Sequence, residues 1–218
     1  MTTMSLAHKV SAYNRRRKWS LFQKEFAPTR EMRVLDVGFC DGEYSDVSNY
    51  IEKYYPYPDR LTALGLGMPV QSKIRYPKVS FVQYDGGVFP FEDKAFDIAW
   101  SNAVIEHVGP RDKQLFFLKE LKRVSKSVFM TTPNRFFPIE VHTKLPLLHY
   151  LPKRIFDKLI PWIGKGWAAG DYMHLLSRTD IKHLLADAGV TEYRIIKNMF
   201  GGMALDFVVI FGEHRGHI

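Results

Sequence analysis

Short apolar runs alternate with helical patterns along most of the chain, and this alternation constrains the fold more than any other feature of the sequence. Five of the runs have the length of buried strands: residues 33–38, 61–66, 80–84, 96–101 and 127–132. Helical spacing of apolar residues is found over three further stretches: residues 41–55, 111–125 and 179–188. This order predicts an α/β fold in which a mostly parallel sheet carries helices on both faces.

The last two apolar runs, Glu192–Lys197 and Ala204–Phe211, are joined only by the short link NMFGGM. Parallel neighbours need a much longer crossover, so these two strands must pair as an antiparallel hairpin. One of them therefore runs antiparallel to the rest of the sheet.

Length and composition suit one domain with a full core, because 46% of the 218 residues are hydrophobic. We expect a single domain over residues 1–218, with an amphipathic helix in residues 1–28 as its cap. Residues 134–177 follow the fifth predicted strand and are rich in proline and aromatics. An irregular insertion of this length is typical of a functional loop, and we interpret it as a substrate lid.

The N-terminal stretch MTTMSLAHKV contains no long apolar region, so we expect no secretory signal there. No apolar run reaches the roughly 20 residues needed to span a bilayer. The single cysteine, Cys40, excludes an internal disulfide framework. These features predict a cytoplasmic protein.

The first predicted strand ends in the turn VLDVGFCDGEY, residues 34–44. Gly38 allows the backbone to turn without a Cβ clash, and Gly42 allows a ligand to approach backbone N–H groups. Asp36 and Asp41 place carboxylates at the same rim. Such a turn is suited to a nucleotide-like ligand, although glycines at a strand–helix turn also serve packing alone.

Three further motifs follow in order: VQYDG at 82–86, FPFEDKAFDIAWSNAVIEHV at 89–108 and LKELKRVSKSVFMTTPNR at 118–135. Together with the turn, they resemble the motifs of class I S-adenosylmethionine-dependent methyltransferases of the small-molecule, type 11-like kind. The resemblance implies a Rossmann-like, seven-stranded sheet with an antiparallel last strand. It also implies S-adenosylmethionine as cofactor and S-adenosylhomocysteine as product.

The resemblance further implies cofactor contacts for eight residues: Asp36, Gly38, Cys40, Gly42, Asp85, Gly86, Asn102 and Ala103. The first four would line the methionine end and the sugar, and Asp85 would accept a hydrogen bond from the adenine amine. Asn102 and Ala103 would face the sulfonium. Asp85 also fits a turn-forming aspartate, and Asn102 a helix cap. Cys40 replaces the middle glycine of the family's loop, and we interpret it as a packing residue.

A second departure from the family lies at the end of the second predicted strand, where an acid normally binds the ribose hydroxyls. Gly65 or Gly67 stands at that position, and residues 60–84 contain no aspartate or glutamate. A hydrogen bond to a charged group is worth about 1.5–3 kcal/mol, so cofactor affinity is expected to fall about ten- to a hundredfold. Three outcomes stay open: Gln71 or Asp41 compensates, binding is weak but adequate, or the site is repurposed.

Candidates for chemistry lie beyond the fourth and fifth predicted strands. His142 is our candidate general base, because an unperturbed histidine titrates near neutrality; a lid histidine bonded to backbone is the alternative. Four residues are candidate substrate contacts: His107, Glu140, Tyr172 and His174. The spacing of Glu106, His107, Glu140 and His142 matches no recognised ligand pattern, so we expect no metal site.

These features predict an S-adenosylmethionine-dependent methyl transfer to a small-molecule, saccharide or lipid-linked acceptor through oxygen, nitrogen or carbon. The alternative is a repurposed or non-catalytic member of the fold with weakened cofactor binding. The net charge of +8 is consistent with solvated basic faces or, alternatively, with attraction to an anionic partner. No nucleic-acid-binding module is recognisable, so nucleic acid is not expected. Residues 142–167 interleave apolar and basic side chains; they predict a lid helix packed on the core or, alternatively, an amphipathic surface for a membrane or a lipid-linked substrate.

Overall fold

The computed structural model of the protein describes residues 6–43, 45–139, 143, 145–170 and 173–213. Its strands are β1 (Val34–Val37), β2 (Leu61–Gly65), β3 (Ser80–Gln83), β4 (Phe96–Asn102), β5 (Ser125–Pro133), β6 (Tyr193–Phe200) and β7 (Met203–Gly212). Its helices are α1 (Leu6–Phe26), α2 (Tyr50–Tyr54), α3 (Val70–Arg75), α4 (Arg111–Val124), α5 (Lys153–Leu159) and α6 (Arg178–Asp187). Among these described helices, none has the length and apolar character needed to cross a membrane.

The strands form one seven-stranded sheet in the order β3-β2-β1-β4-β5-β7-β6. β1 pairs in parallel with both β2 and β4, and β2 pairs in parallel with β3. β6 and β7 pair antiparallel across the two-glycine turn that separates them. The predicted α/β fold and its antiparallel terminal hairpin are therefore confirmed.

The chain forms two compact units. The first comprises residues 1–100, 123–129 and 212–218, and the second comprises residues 101–122 and 130–211. The prediction of one domain with a cap at residues 1–28 and a lid at residues 134–177 stays a prediction.

An aromatic cluster forms the core of the first unit around α1. Phe22 lies with its ring centroid 5.1 Å from that of Trp100 and 5.5 Å from that of Phe129, both edge-on. Trp100 and Phe129 stack at 4.9 Å, and Trp19 and Phe26 complete the cluster. Large buried aromatics of this kind dominate core energetics, so the predicted N-terminal helix is fixed by packing rather than by its own propensity.

The predicted helix over residues 41–55 is wrong, because only α2 at its end is helical. Asn49 precedes α2 with φ 47° and ψ 48°, a left-handed conformation that interrupts a helix. Its side chain accepts a hydrogen bond from the Cys40 N–H (3.0 Å) and donates one to the Cys40 carbonyl (2.7 Å). This bidentate contact holds the segment as a loop.

Helix α3 was not predicted, because the group that caps it is remote in sequence. The Asp41 carboxylate accepts hydrogen bonds from the N–H of Gln71 (3.1 Å) and of Ser72 (2.8 Å), some thirty residues away. An acidic acceptor at a helix N-terminus satisfies donors that the helix leaves unpaired. No local pattern in residues 69–75 reveals this partner.

Two carboxyl groups, one on β1 and one on α2, are buried close to each other. Asp36 of β1 is 6% exposed and Glu52 of α2 is 4% exposed. Burial raises the pKa of Asp36 well above its usual range, the nearby Glu52 charge raises it further, and Arg15 opposes both effects. Burial also raises the pKa of Glu52. Two buried like charges cannot both ionise cheaply, so this pair favours retaining a proton.

The pair makes stability depend on pH with a definite sign. The folded protein holds a proton that the unfolded chain releases above ordinary carboxyl pKa values near 4. The contribution of this pair to the free energy of unfolding should therefore be largest below that range and be lost as pH rises through the raised values. We expect Glu52→Gln to make this fall shallower between pH 5 and pH 8, as measured by urea unfolding. Glu92→Gln, on the exposed surface, is the control; equal slopes in wild type and Glu52→Gln would contradict the assignment.

Candidate functional site

The candidate cofactor residues of the first unit lie at the end of β1, in the turn that follows it, and directly after β3. Both strands pair in parallel with β2, so their carboxyl ends share one edge of the sheet. Gly38 turns the chain out of β1 with φ 112°, and its N–H donates to the Leu64 carbonyl at 2.8 Å. The positive φ explains why glycine is required at the start of the turn.

Phe39 occupies the space where the family's ribose-binding acid would start. A Cβ added to Gly65 would lie 2.7 Å from two ring carbons of Phe39 and 2.9 Å from its carbonyl oxygen. The Phe39 ring is buried and meets Phe81 edge-on with centroids 5.1 Å apart. Gly65 is thus closed to any side chain, whereas a Cβ on Gly67 would meet nothing within 4 Å. In the sequence, two features indicate this contact: Phe39 is a large residue within the glycine loop, and Gly65 is a glycine in the next strand.

Asp41 is committed to α3 by the two hydrogen bonds already described. Those bonds, from Ser72 first and Gln71 second, lower the pKa of Asp41. Arg75 also donates to the Asp41 carbonyl at 3.0 Å. The hypothesis that Asp41 replaces the ribose acid therefore requires breaking the cap of α3. Cys40 and Gly42, in the same loop, are partly exposed.

Asp85 follows β3 on the exposed surface. Its Oδ1 accepts a hydrogen bond from the Gly87 N–H at 2.9 Å, which is the turn that an aspartate before glycine favours. Its Oδ2 accepts no hydrogen bond from the part of the chain that the structure describes. Gly86 has φ 89°, and a Cβ there would lie 3.4 Å from a Leu66 methyl group. The turn and a ligand contact through Oδ2 are compatible.

Asn102 and Ala103 belong to the second unit, at the end of β4. The Thr131 hydroxyl donates to Asn102 Oδ1 at 3.0 Å, and the Ala103 N–H donates to the Thr131 carbonyl at 3.0 Å. The short 3₁₀ turn Ile105–His107 that follows has no side-chain cap, so the capping interpretation of Asn102 is wrong. Ala103 has φ 58°, a strained conformation of the kind that gathers at functional sites.

Gln114 of α4 joins two segments that carry candidate substrate contacts. Its buried amide donates to the Ile105 carbonyl at 3.2 Å and to the His174 carbonyl at 2.9 Å. The His174 N–H in turn donates to the Glu106 carbonyl at 2.7 Å. Gln114 and this backbone bond therefore hold His174 beside the turn that contains His107. Sequence reasoning missed Gln114, because nothing local distinguishes it from other polar helix residues.

The remaining candidates, Glu140, His142 and Tyr172, lie outside the described residues. Their roles as general base and as substrate contacts stay predictions. Within the described residues, no group of three or more histidine, cysteine, aspartate or glutamate side chains is arranged to hold a metal ion.

A cavity of about 460 Å³ lies within the second unit. Leu151, Phe156, Met173 and Leu176 supply apolar walls. Its polar lining comprises Arg111, Gln114, Arg135, His149, His174 and Asp180. His174 is the one sequence-predicted site residue among the lining residues that the structure describes.

The charged side chains that line the cavity differ in the hydrogen bonds and ion pairs that they form. Asp180 Oδ2 accepts from both the N–H (2.8 Å) and the hydroxyl (2.6 Å) of Ser177, which forms a capping box at the start of α6. Arg111 pairs with Asp187 at 2.5 Å. Arg135 lies near enough to Asp180 to interact electrostatically, and its own side chain is exposed. The cavity thus presents two guanidinium groups and two imidazoles against one carboxylate that is already hydrogen-bonded.

The sequence matches the model of a protein family, and the structure matches solved structures with the same fold. Residues 35–128 match the model of the methyltransferase domain family. No curated protein sequence matches the chain.

Three solved structures illustrate the fold. A SAM-dependent methyltransferase from Aquifex aeolicus is 16% identical, with 89% of this chain and 88% of that chain covered and a TM-score of 0.57. A SAM-dependent methyltransferase from Thermotoga maritima, a possible histamine N-methyltransferase, is 16% identical, with coverages of 96% and 92% and a TM-score of 0.58. A Haemonchus contortus phosphoethanolamine N-methyltransferase, solved with phosphomonomethylethanolamine and S-adenosylhomocysteine, has a TM-score of 0.56. That match covers 84% of this chain and 38% of the other chain.

These matches agree with the order of motifs and with the strand order of the sheet. The chain has the class I S-adenosylmethionine-dependent methyltransferase fold, and its residues 35–128 match the methyltransferase domain family, as its motifs predicted.

Proposed function

We propose that this protein transfers a methyl group from S-adenosylmethionine to a small acceptor and releases S-adenosylhomocysteine. The observation that carries the proposal is the edge of the first unit, where a glycine turn follows β1 and Asp85 follows β3 in a sheet of the methyltransferase fold. The alternative, a repurposed fold with weakened cofactor binding, has its main support in the closed position at Gly65.

The residues after β2 and β3 fit the adenine end of the cofactor. Leu66 and Val88 expose apolar side chains, and Asp85 Oδ2 is available to an amine donor. Apolar faces with one polar contact at the edge are the usual way to bind a flat heterocycle. In this proposal Asp85 and Gly86 hold the adenine, and the turn at Gly38, Cys40 and Gly42 holds the methionine end, whereas Asp36 is buried in β1.

The ribose end fits less well, because Phe39 closes Gly65 and Asp41 caps α3. The protein therefore binds the cofactor mainly through its adenine and methionine ends. We infer a dissociation constant weaker by about ten- to a hundredfold than a site with the ribose acid would give.

Bound S-adenosylmethionine supplies a methyl carbon on a positively charged sulfur, which an acceptor atom attacks in line. The protein's task is to align the acceptor and, for a hydroxyl or ammonium acceptor, to remove a proton. His142 is the proposed base. His107, Glu140, Tyr172 and His174 are the proposed contacts to the acceptor, with Asn102 and Ala103 at the sulfonium side.

We further infer that the acceptor carries an anionic group on an apolar body. The cavity of the second unit has the volume of a small-ligand site and a wall that combines apolar side chains with polar ones. Arg111 and Arg135 favour an anion, and the Ser177 donors already stabilise the opposing Asp180 carboxylate. A lipid-linked or otherwise apolar acceptor with a phosphate or carboxylate group meets both requirements.

Titration of the full chain with S-adenosylmethionine and S-adenosylhomocysteine tests the cofactor site. We expect micromolar binding, and a loss of about ten- to a hundredfold in Asp85→Ala, because a hydrogen bond to a charged group is removed. Glu92→Ala, an exposed acid nearby in sequence, should bind like the wild type. Absence of binding by the folded wild type at millimolar ligand would instead favour the repurposed fold.

Substitution at Gly65 tests whether Phe39 has displaced the ribose acid. Gly65→Asp should destabilise the protein by about 1–3 kcal/mol, because its Cβ overlaps the Phe39 ring. Adding Phe39→Ala removes the two ring carbons but leaves the main-chain oxygen of residue 39 at 2.9 Å, so it should recover part of the lost stability. It should also strengthen S-adenosylmethionine binding about tenfold over Phe39→Ala alone. Gly67→Asp, where the added Cβ meets no atom, is the control for charge. Urea unfolding and calorimetric titration give both readouts; an undisturbed Gly65→Asp would contradict the steric argument.

Binding of simple amphiphiles tests the acceptor class. We expect octyl phosphate, below its micelle concentration, to bind more tightly than octyltrimethylammonium or inorganic phosphate. Arg135→Gln should weaken octyl phosphate binding by about tenfold, since one charge-assisted contact is lost. Lys182→Gln on the exposed side of α6 is the matched control. Equal binding of the anionic and cationic amphiphiles would refute the inferred charge.

A further inference from the structure

The lid segment of the second unit exposes apolar side chains that its own core does not need. Trp162 is 90% exposed, and Ile155, Leu159, Ile163 and Trp167 are between 42% and 49% exposed. We call these five residues the lid face. Five exposed large apolar side chains within thirteen residues are typical of an interaction surface rather than of an ordinary solvated segment.

The inward side of the same segment is already packed. Phe156, Ile160 and Ala168 are buried. They form a small core with Leu145, Leu148 and Ala169. The lid face is therefore not needed to fill that core. Because the inward apolar side is packed in this core, the outward apolar side is the one that can contact a partner.

Trp162 is displayed by a defined turn. It lies in the 3₁₀ turn Ile160–Ile163, which ends at Gly164 with φ 74°. The Gly164 N–H donates to the Pro161 carbonyl at 3.0 Å, and the Lys165 N–H donates to the Ile160 carbonyl at 3.2 Å. Lys165 is anchored further, because its Nζ donates to the Thr143 carbonyl at 2.6 Å. The indole is thus presented to solvent by backbone bonds rather than by a loose loop.

Basic residues accompany this apolar surface. Arg154 and Lys158 are exposed one helical turn apart on α5, which places them on the same side of the helix. Residues 153–167 contain four basic residues and one acidic residue, Asp157, whose Oδ1 accepts a hydrogen bond from the Gly170 N–H at 3.1 Å. The whole chain carries a net charge of +8. The surface is therefore complementary to an anionic partner.

We propose that the lid face docks the protein on an anionic lipid surface. Tryptophan and aliphatic side chains beside lysine and arginine are the combination that binds at the boundary of headgroups and acyl chains. The apolar side chains bury in that boundary, and Arg154 and Lys158 meet the lipid phosphates. This docking goes beyond methyl transfer and does not depend on it, because it uses surface residues outside the proposed cofactor site.

Co-sedimentation of the full chain with vesicles tests the proposal. We expect binding to phosphatidylcholine vesicles that contain phosphatidylglycerol, much weaker binding to phosphatidylcholine alone, and a decrease with added salt. Trp162→Ala and Ile163→Ala should each lower binding severalfold, and their combination by at least about tenfold. Ile74→Ala, at an isoleucine of the first unit that is more exposed than Ile163, should have no effect.

Charge reversal separates this site from the basic residues of α1. Arg154→Glu with Lys158→Glu should abolish selectivity for phosphatidylglycerol, whereas Arg16→Glu with Arg17→Glu should leave most of it. The reverse pattern would overturn the proposal, and so would a lack of vesicle binding by the folded wild type. Self-association that Trp162→Ala abolishes, without vesicle binding, would assign the lid face to a second copy of the chain and also overturn it.

Discussion

The loop after β1 is held by two side-chain contacts that reach across the chain, and the cofactor edge of the first unit depends on them. Asn49 brackets the Cys40 peptide, while the Asp41 carboxylate caps α3. Both contacts satisfy backbone groups that a loop would otherwise leave to water. Because the two contacts flank the glycine turn, they set where its N–H groups point before any ligand arrives.

This arrangement has a chemical consequence at the neighbouring strand. A bulky Phe39 stands within the loop, and Gly65 must stay without a side chain to accommodate it. The ring also packs on Phe81, so it contributes to the core between the loop and β3. The same space cannot hold both an aromatic ring and the carboxylate that grips a ribose. Position 65 is therefore committed to packing against Phe39, and only a position further along, such as Gly67, has room for a side chain.

In the second unit, side-chain hydrogen bonds hold an irregular segment in place. Gln114 binds the carbonyls of Ile105 and His174, and the Ser177–Asp180 capping box starts α6 at a fixed position. These contacts shape a cavity with apolar walls and cationic side chains. The segment that includes α5 contributes Leu151 and Phe156 to that cavity and exposes the residues of the lid face.

The sequence by itself determined the order of the strands and the antiparallel hairpin, whereas the helix predicted over residues 41–55 was wrong and α3 was missed. The correct predictions follow from local rules: apolar periodicity, a link too short for a crossover, and motifs read in order. Only the tertiary structure decided that Asp41 serves α3, that Phe39 closes Gly65, that Asp36 and Glu52 are buried together and that Gln114 supports His174. Those contacts join residues between 16 and 60 positions apart in the chain. Periodicity and spacing describe neighbours along the backbone, whereas partners of this kind become neighbours only when the sheet and its helices pack.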